Sequence, residues 1–365
     1  MRKKTVLGFE KKKQYAFLLG VALLLSHGAR AEDVDLMTGV VARSGDEGTI
    51  PADKFKKASP WKIGMSHFWR HGQHLGCSNG PPNRRRLPRA DPRISQFVLL
   101  DANLSQAKQI ADIDELIAQK VDAIIITPVS PTSADAGIDR AVNAGIPVIV
   151  HTGLTKTDKY TVDIQGGGEN FGKVSGEFLV KELGGKGNIW VLRGLPTHPE
   201  DINRYKGLLE AIKGTDIKIV AEDAGLWSYD YGHKVCETFY LENPKVDGIW
   251  SSGADMSRAC MDVFQQYGAK VPPITGEVNN GFLQKWIETG VDAVATEYGP
   301  EQGAAAVRAA VALLEGKAIH KRYVYEPEGW DLEKAKANYR ADLSEKFWMP
   351  SSLTGSDLKA LYGKP

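Results

Sequence analysis

Polar and aromatic side chains of one chemical kind stand just beyond the ends of apolar runs. His151 and Thr152 end PVIVHT, Trp227 follows IKIVAEDA, and Asp255 follows GIWSSG. Glu277 ends PITGE with Asn279 two residues on, and Tyr298 ends VDAVATEY. Arg204 lies beyond NIWVLRG, three residues before Gly207. A guanidinium grips two oxygens at once, carboxylates and amides supply matching acceptors and donors, and ring faces cover C–H surfaces. This is the chemistry of holding a small hydroxyl-bearing molecule. The patterns of turnover are missing. There is no nucleophile elbow, Cys/His metal spacing or pair of catalytic acids, and no Gly-x-Gly-x-x-Gly or Walker run at a strand–helix turn. No enzyme, metal or cofactor is therefore expected. Gly166-Gly167-Gly168 precedes a helix and reads as an anion cradle or, more simply, a loop or hinge.

The elements that must position these residues alternate. WKIGMS, FVLLDA, DAIIIT and PVIVHT read as strands, and SQAKQIADIDELIAQ as an amphipathic helix with Ile110, Ile113, Leu116 and Ile117 on one face. A helix from about 133 to 144 stops at Gly145. The pattern repeats from about 169 onward, through helices near 200–212, 230–242, 255–267 and 280–288 to an Ala-rich helix near 301–315. Such alternation predicts an α/β fold of two doubly wound parallel-sheet lobes, and 365 residues suit two lobes better than one. Ligands bind such sheets outside the carboxyl ends of the strands, where the residues above fall.

The first residues are read apart from the fold. A basic cluster (Arg2, Lys3, Lys4, Lys11, Lys12, Lys13), a short apolar run and Ala29-Arg30-Ala31 make the plan of a signal peptide cleaved after Ala31. The apolar run is too short to span a bilayer. The formal net charge of +1 argues against a dedicated nucleic-acid binder, and without the basic leader the chain is acidic. In an exported protein Cys236 and Cys260, on helices separated by one strand, can pair or remain buried thiols. Residues 32–59 read as a flexible lead-in.

QIADIDELIAQKVDAIIITPVSPTS, AGIPVIV, RYKGLLEAI, GADMSRACMDVF, ITGEVNNG and TEYGPEQGAAAV together resemble the type I periplasmic sugar-binding proteins, the ribose-binding-like family of ABC importers, from about Trp61 to Trp330. The resemblance implies a clamp whose chain crosses between lobes three times, near Thr161–Gln165, Glu297–Gly299 and His320–Tyr323. It divides the chain into an N-terminal lobe (60–162 plus 299–321) and a C-terminal lobe with tail (163–298 plus 322–365). It implies a periplasmic monomer that takes a sugar or polyol to an inner-membrane ABC permease; a sensing module docked on a chemoreceptor or sensor kinase is the alternative.

Carried onto this chain, the resemblance makes Arg204 the sugar-gripping arginine rather than an exposed helix residue. Trp227 becomes a stacking wall rather than a core residue. Asp255 binds ligand or caps its helix, behind an Ala254 where the family has Asn. Glu277 replaces the family's Asp, and Tyr298 its Gln. His151 and Thr152 replace an Asp-Arg-like pair. Of Asn279 and Asn280, one is a turn residue and the other a contact, with Asn279 taken as the contact. Thr197 and His198 are weaker candidates, and Asp101 and Asn103 are structural. These departures argue against assuming ribose.

Residues 67–94 fit poorly. The topology asks for a helix between WKIGMS and FVLLDA, yet the stretch holds Pro81, Pro82, Pro88, Pro92 and Arg84-Arg85-Arg86 without an apolar period. The reading favoured is a segment translated out of frame, with a genuine basic insertion or a disordered basic patch as alternatives. A frame error would leave the N-terminal sheet without one covering helix.

Overall fold

The computed structural model describes residues 34–43, 48–68, 91–243 and 245–364. The expected signal peptide and cleavage site, Cys77, and residues 69–90 of the anomalous stretch lie outside the described residues.

Two sheets form the layers. The first orders its strands Val40–Ala42, Arg322–Tyr325, Val162–Gln165, Val148–His151, Ala123–Ile126, Trp61–His67 and Ile94–Asp101. All its neighbours run parallel except the antiparallel edge Val40–Ala42. The second sheet runs Gly329–Trp330, Ala293–Thr296, Ile274–Glu277, Gly248–Ser251, Lys186–Arg193 and Asp216–Ala224, antiparallel only at Gly329–Trp330. The doubly wound reading holds because the central strands are buried: Ala123–Ile126 and Gly248–Ser251 are buried at every position, as sheets covered on both faces require, while the edge strands Ile94–Asp101 and Asp216–Ala224 are partly exposed.

Helices begin and end where local chemistry permits. Ser105 caps Gln106–Ala118 by accepting from the Lys108 N–H. The Ala-rich helix Glu301–Glu315 ends at the left-handed Gly316 and packs Ala305, Ala309 and Leu313 against Trp61, Ile63 and Met65. On the other face of the first sheet, Ile113 and Leu116 pack on Ile124 and Val150. The second lobe has its own cores, one around Trp190, Phe264 and Phe282, the other around Leu179, Leu208 and Trp250. Cys236 and Cys260 are bonded, tying Tyr229–Glu242 to Ala254–Gln266 with Cα atoms 5.3 Å apart.

Two expectations are corrected. The stretch 32–59 is not a loose lead-in where described: Val40–Ala42 pairs with Arg322–Tyr325, Thr49–Ile50 pairs with Ile319–His320, and Leu36, Met37 and Ile50 are buried. The first and third crossings do not fall at Thr161–Gln165 and His320–Tyr323: Val162–Gln165 is a strand of the first sheet, which the chain leaves at Gly166 and Gly167. Arg322–Tyr325 is still a strand of the first sheet, and the chain enters the second only at Gly329–Trp330. Short polar-flanked strands carry little periodic signal, and tertiary pairing decides them.

Candidate functional site

The candidate residues follow the carboxyl ends of the strands of both sheets, and Phe68, just beyond Trp61–His67 of the first sheet, meets His198 of the second lobe at 4.2 Å. Gly166 and Gly167 turn the chain out of Val162–Gln165 into the helix Gly168–Glu182. Gly167 sits at φ +75°, and a Cβ there would lie 2.2 Å from the Tyr325 carbonyl oxygen. The glycine run is a tight turn at a crossing between the lobes. Glu297 braces the same region by accepting from the Tyr325 hydroxyl (2.9 Å) and Trp330 Nε1 (2.6 Å).

Arg204 stands at the centre. The helix Pro199–Ile212 carries it inward, and it is fully buried, so the exposed-helix reading fails. Its guanidinium sits in the corner made by the Phe171 ring at 4.0 Å and the Tyr298 ring at 4.2 Å, the two rings standing perpendicular to each other. Nη1 pairs with Glu277 at 2.6 Å and also donates to the Ser252 carbonyl, while Glu200 lies 3.6 Å from Nε. Two buried carboxylates thus face one buried cation. Helix N-termini supply the rest: Glu277 Oε2 accepts from the Ala254 N–H at 3.2 Å, opening Ala254–Gln266, and Glu200 lies against Gly168, where a Cβ would meet its Oε1 at 2.3 Å. Burial pushes the Glu277 carboxyl up to about 7 against the pull of Arg204, and raises Glu200 likewise. Burial would lower Arg204, but Glu277 and Glu200 outweigh it and hold the guanidinium charged.

Trp227 is buried within the second lobe's core and borders the cleft. Its Nε1 donates to the Ser252 carbonyl at 3.0 Å, and its ring meets His198 edge-on at 5.6 Å. The core reading of this residue holds. Tyr298 is buried beside Arg204, its hydroxyl toward Glu200, and burial raises it well above the usual phenol range. His151 is buried at the end of its strand, with Nε2 2.8 Å from Thr127 Oγ1 and Nδ1 3.2 Å from Thr152 Oγ1. It is no solvent-facing loop residue. Thr152 is buried with φ +49°. Asp255 occupies the first turn of its helix without capping it, 3.5 Å from Arg258, and burial pushes its carboxyl up to about 6.

Asn279 is not placed as a contact. Its Oδ1 caps Asn280–Thr289 by accepting from the Gly281 and Phe282 N–H groups, and its Nδ2 donates to the Phe347 carbonyl. Asn280 likewise holds Arg340, Leu343 and Ser344. Both amides clamp the C-terminal segment. Asp101 is structural as expected, its Oδ1 accepting from the Asn103 N–H at 2.8 Å.

The structure adds residues that sequence reasoning left out, and brings His198, a weaker candidate, among them. Glu200 is buried one turn before Arg204, a spacing that signals a side-chain pair on a helix. Phe171 had no signal beyond an ordinary apolar helix position. Phe68 follows the first strand, is buried, and reaches across the cleft to the His198 ring at 4.2 Å. His198, Ser252 and Gln302 are buried with His198 Nε2, Ser252 Oγ, both polar atoms of the Gln302 amide and Arg204 Nη2 lacking a hydrogen-bond partner among the described residues.

Two lobes with separate cores, joined by glycine-turned crossings around a cleft of buried polar and aromatic groups, define a ligand-binding clamp. The chain belongs to the periplasmic binding protein family: residues 90–318 match the periplasmic binding protein domain. Membership implies a periplasmic location, and no helix among the described residues is long and apolar enough to cross a membrane. A xylitol-binding protein of Mycolicibacterium smegmatis is 28% identical over 240 residues, covering 63% of this chain and 67% of that one. A galactofuranose-binding protein of Escherichia coli is 29% identical over 221 residues, covering 58% and 68%. A crystal structure from Mycobacterium smegmatis in complex with β-D-fucofuranose superposes with a TM-score of 0.68 at 26% identity, covering 76% of this chain and 93% of that one. The relatives are binding proteins, not enzymes.

Proposed function

We propose that the protein captures a sugar or polyol between its lobes and delivers it, as an exported monomer, to an ABC importer of the inner membrane. One observation carries the reading. Arg204 packs on the Phe171 and Tyr298 rings and pairs with Glu277, while Nη2 and the neighbouring His198 and Ser252 groups are buried with unmet hydrogen-bonding capacity among the described residues. Buried polar groups without partners are costly, and a hydroxylated ligand supplies the partners. Two helix N-termini and Arg204 against Glu200 and Glu277 leave the site near neutrality, which suits an uncharged ligand. The names of the relatives support the same class: binders of xylitol, galactofuranose and, in Bacillus subtilis, ribose.

The test is a thermal-shift screen with D-ribose, L-arabinose, D-galactose, D-fucose, xylitol and myo-inositol. At least one should raise Tm, as any ligand selective for the folded state must. Arg204→Ala should abolish that shift while a substitution remote from the cleft, Lys218→Ala, leaves it intact. No shift with any compound would sink the sugar assignment. The delivery step predicts that deleting the gene abolishes uptake of the binding sugar.

A further inference from the structure

We propose that His198 is a ligand contact of fixed polarity, donating a hydrogen bond from Nε2 to an oxygen of the bound sugar or polyol. The proposal rests on the sugar-binding reading above and deepens it by one residue. His198 has φ −80° and ψ 135° and stands at the N-cap of Pro199–Ile212. A histidine there is unusual, since the cap acceptor is ordinarily Ser, Thr, Asp or Asn. Here Nδ1 is the acceptor, taking the Glu200 N–H at 3.1 Å. A ring nitrogen that accepts carries no proton, so the neutral ring holds its proton on Nε2. The cap therefore sets the tautomer, and the helix that carries Arg204 also makes His198 a donor.

The ring cannot escape this state by ionising. It is fully buried and near the charged Arg204, and burial, then Arg204, lowers its pKa to about 3. The charged groups facing it are Arg204 and Glu200, both on the helix it caps, while Phe68 and Trp227 present only rings. Nε2 has no hydrogen-bond partner among the described residues. A structural cap needs only Nδ1, and serine would serve. A whole imidazole, wedged between an N-terminal-lobe ring at 4.2 Å and a C-terminal-lobe ring at 5.6 Å, places a donor where the lobes meet.

His198→Asn separates the two roles, because asparagine keeps a cap acceptor and loses the distant N–H. Isothermal titration is done with whichever panel compound gives wild type its largest thermal shift. The expected result is a Kd weakened about tenfold, the scale of one buried hydrogen bond, with the ligand-free Tm nearly unchanged. An unchanged Kd would overturn the proposal. Imidazole 15N NMR of the wild type decides independently of whether the variant folds. The expected spectrum shows neutral His198 protonated at Nε2 throughout pH 5 to 8. A proton on Nδ1, or titration within that range, overturns the proposal. If wild type binds no panel compound, the sugar-binding reading falls and this inference with it. If it binds and His198→Asn binds equally well, only the inference falls.

Discussion

Glu277 is pulled two ways: burial disfavours its charge, and Arg204 at 2.6 Å favours it. Burial wins, and the carboxyl titrates near 7 rather than at the ordinary 4.5. Between those values the folded protein holds a proton that the unfolded chain releases. The stabilisation from this group is complete below the unfolded pKa and is lost as pH rises through the folded one. Asp255, pushed up to about 6, acts in the same direction over a narrower window. His198, held neutral in the fold with its pKa lowered from 6.5 to about 3, acts in the opposite direction below 6.5, so the fall in Tm should be clearest from about pH 6.5 to pH 8. Glu277→Gln, whose amide cannot titrate, should remove the larger part of that slope, worth at most about 3 kcal/mol. Thermal unfolding of both proteins at four or five pH values checks this, and an equal slope in the variant would refute it. At this scale the sequence was half legible. Glu277, Trp227 and Tyr298, read from strand ends, and Arg204, read from its helix, are all buried in one neighbourhood. Asn279 misled because a helix cap and a ligand contact call for the same amide at the same place. Glu200 was missed because only packing turns a helix-start glutamate inward.

Among elements, the link between Tyr229–Glu242 and Ala254–Gln266 is the most directly testable. Bonding Cys236 to Cys260 closes a loop with a sequence separation of 24. In the chain-entropy account a loop of this size is worth about 3 kcal/mol. Cys236→Ser should lower the denaturant midpoint accordingly, and a reductant should do so for wild type but not for the variant. Equal stability with and without reductant would contradict the bonded state. The strands were legible from runs such as AIII and VIV and from the glycines that stop the helices. Val40–Ala42 was not, since three residues have too little periodicity to announce a strand. The family match begins at residue 90, near the end of the stretch 67–94 whose prolines and arginines break the expected pattern. We propose that this stretch is out of frame. Resequencing should reveal a base gained or lost near codons 67–70 and compensated near codon 93; a clean in-frame read would end the idea.

The whole molecule turns on its crossings. Gly167 combines positive φ with a backbone contact that admits no side chain. Gly167→Ala should lower Tm by several degrees and weaken sugar binding, whereas Gly214→Ala, with comparable φ but open space around it, should cost stability alone. Equal binding by the two variants would argue against a hinge at Gly167. The crossings also fix an order of assembly. Five of the six strands of the second sheet lie between Lys186 and Thr296, so that lobe is nearly contiguous in the chain. The first sheet is not: Arg322–Tyr325 lies between Val40–Ala42 and Val162–Gln165, and Glu301–Glu315 covers one face. A chain emerging amino end first must keep Val162–Gln165 without one neighbour until some 160 later residues have followed. The lobe that is made first is thus the lobe that is finished last, and it is the one a chaperone would have to shield.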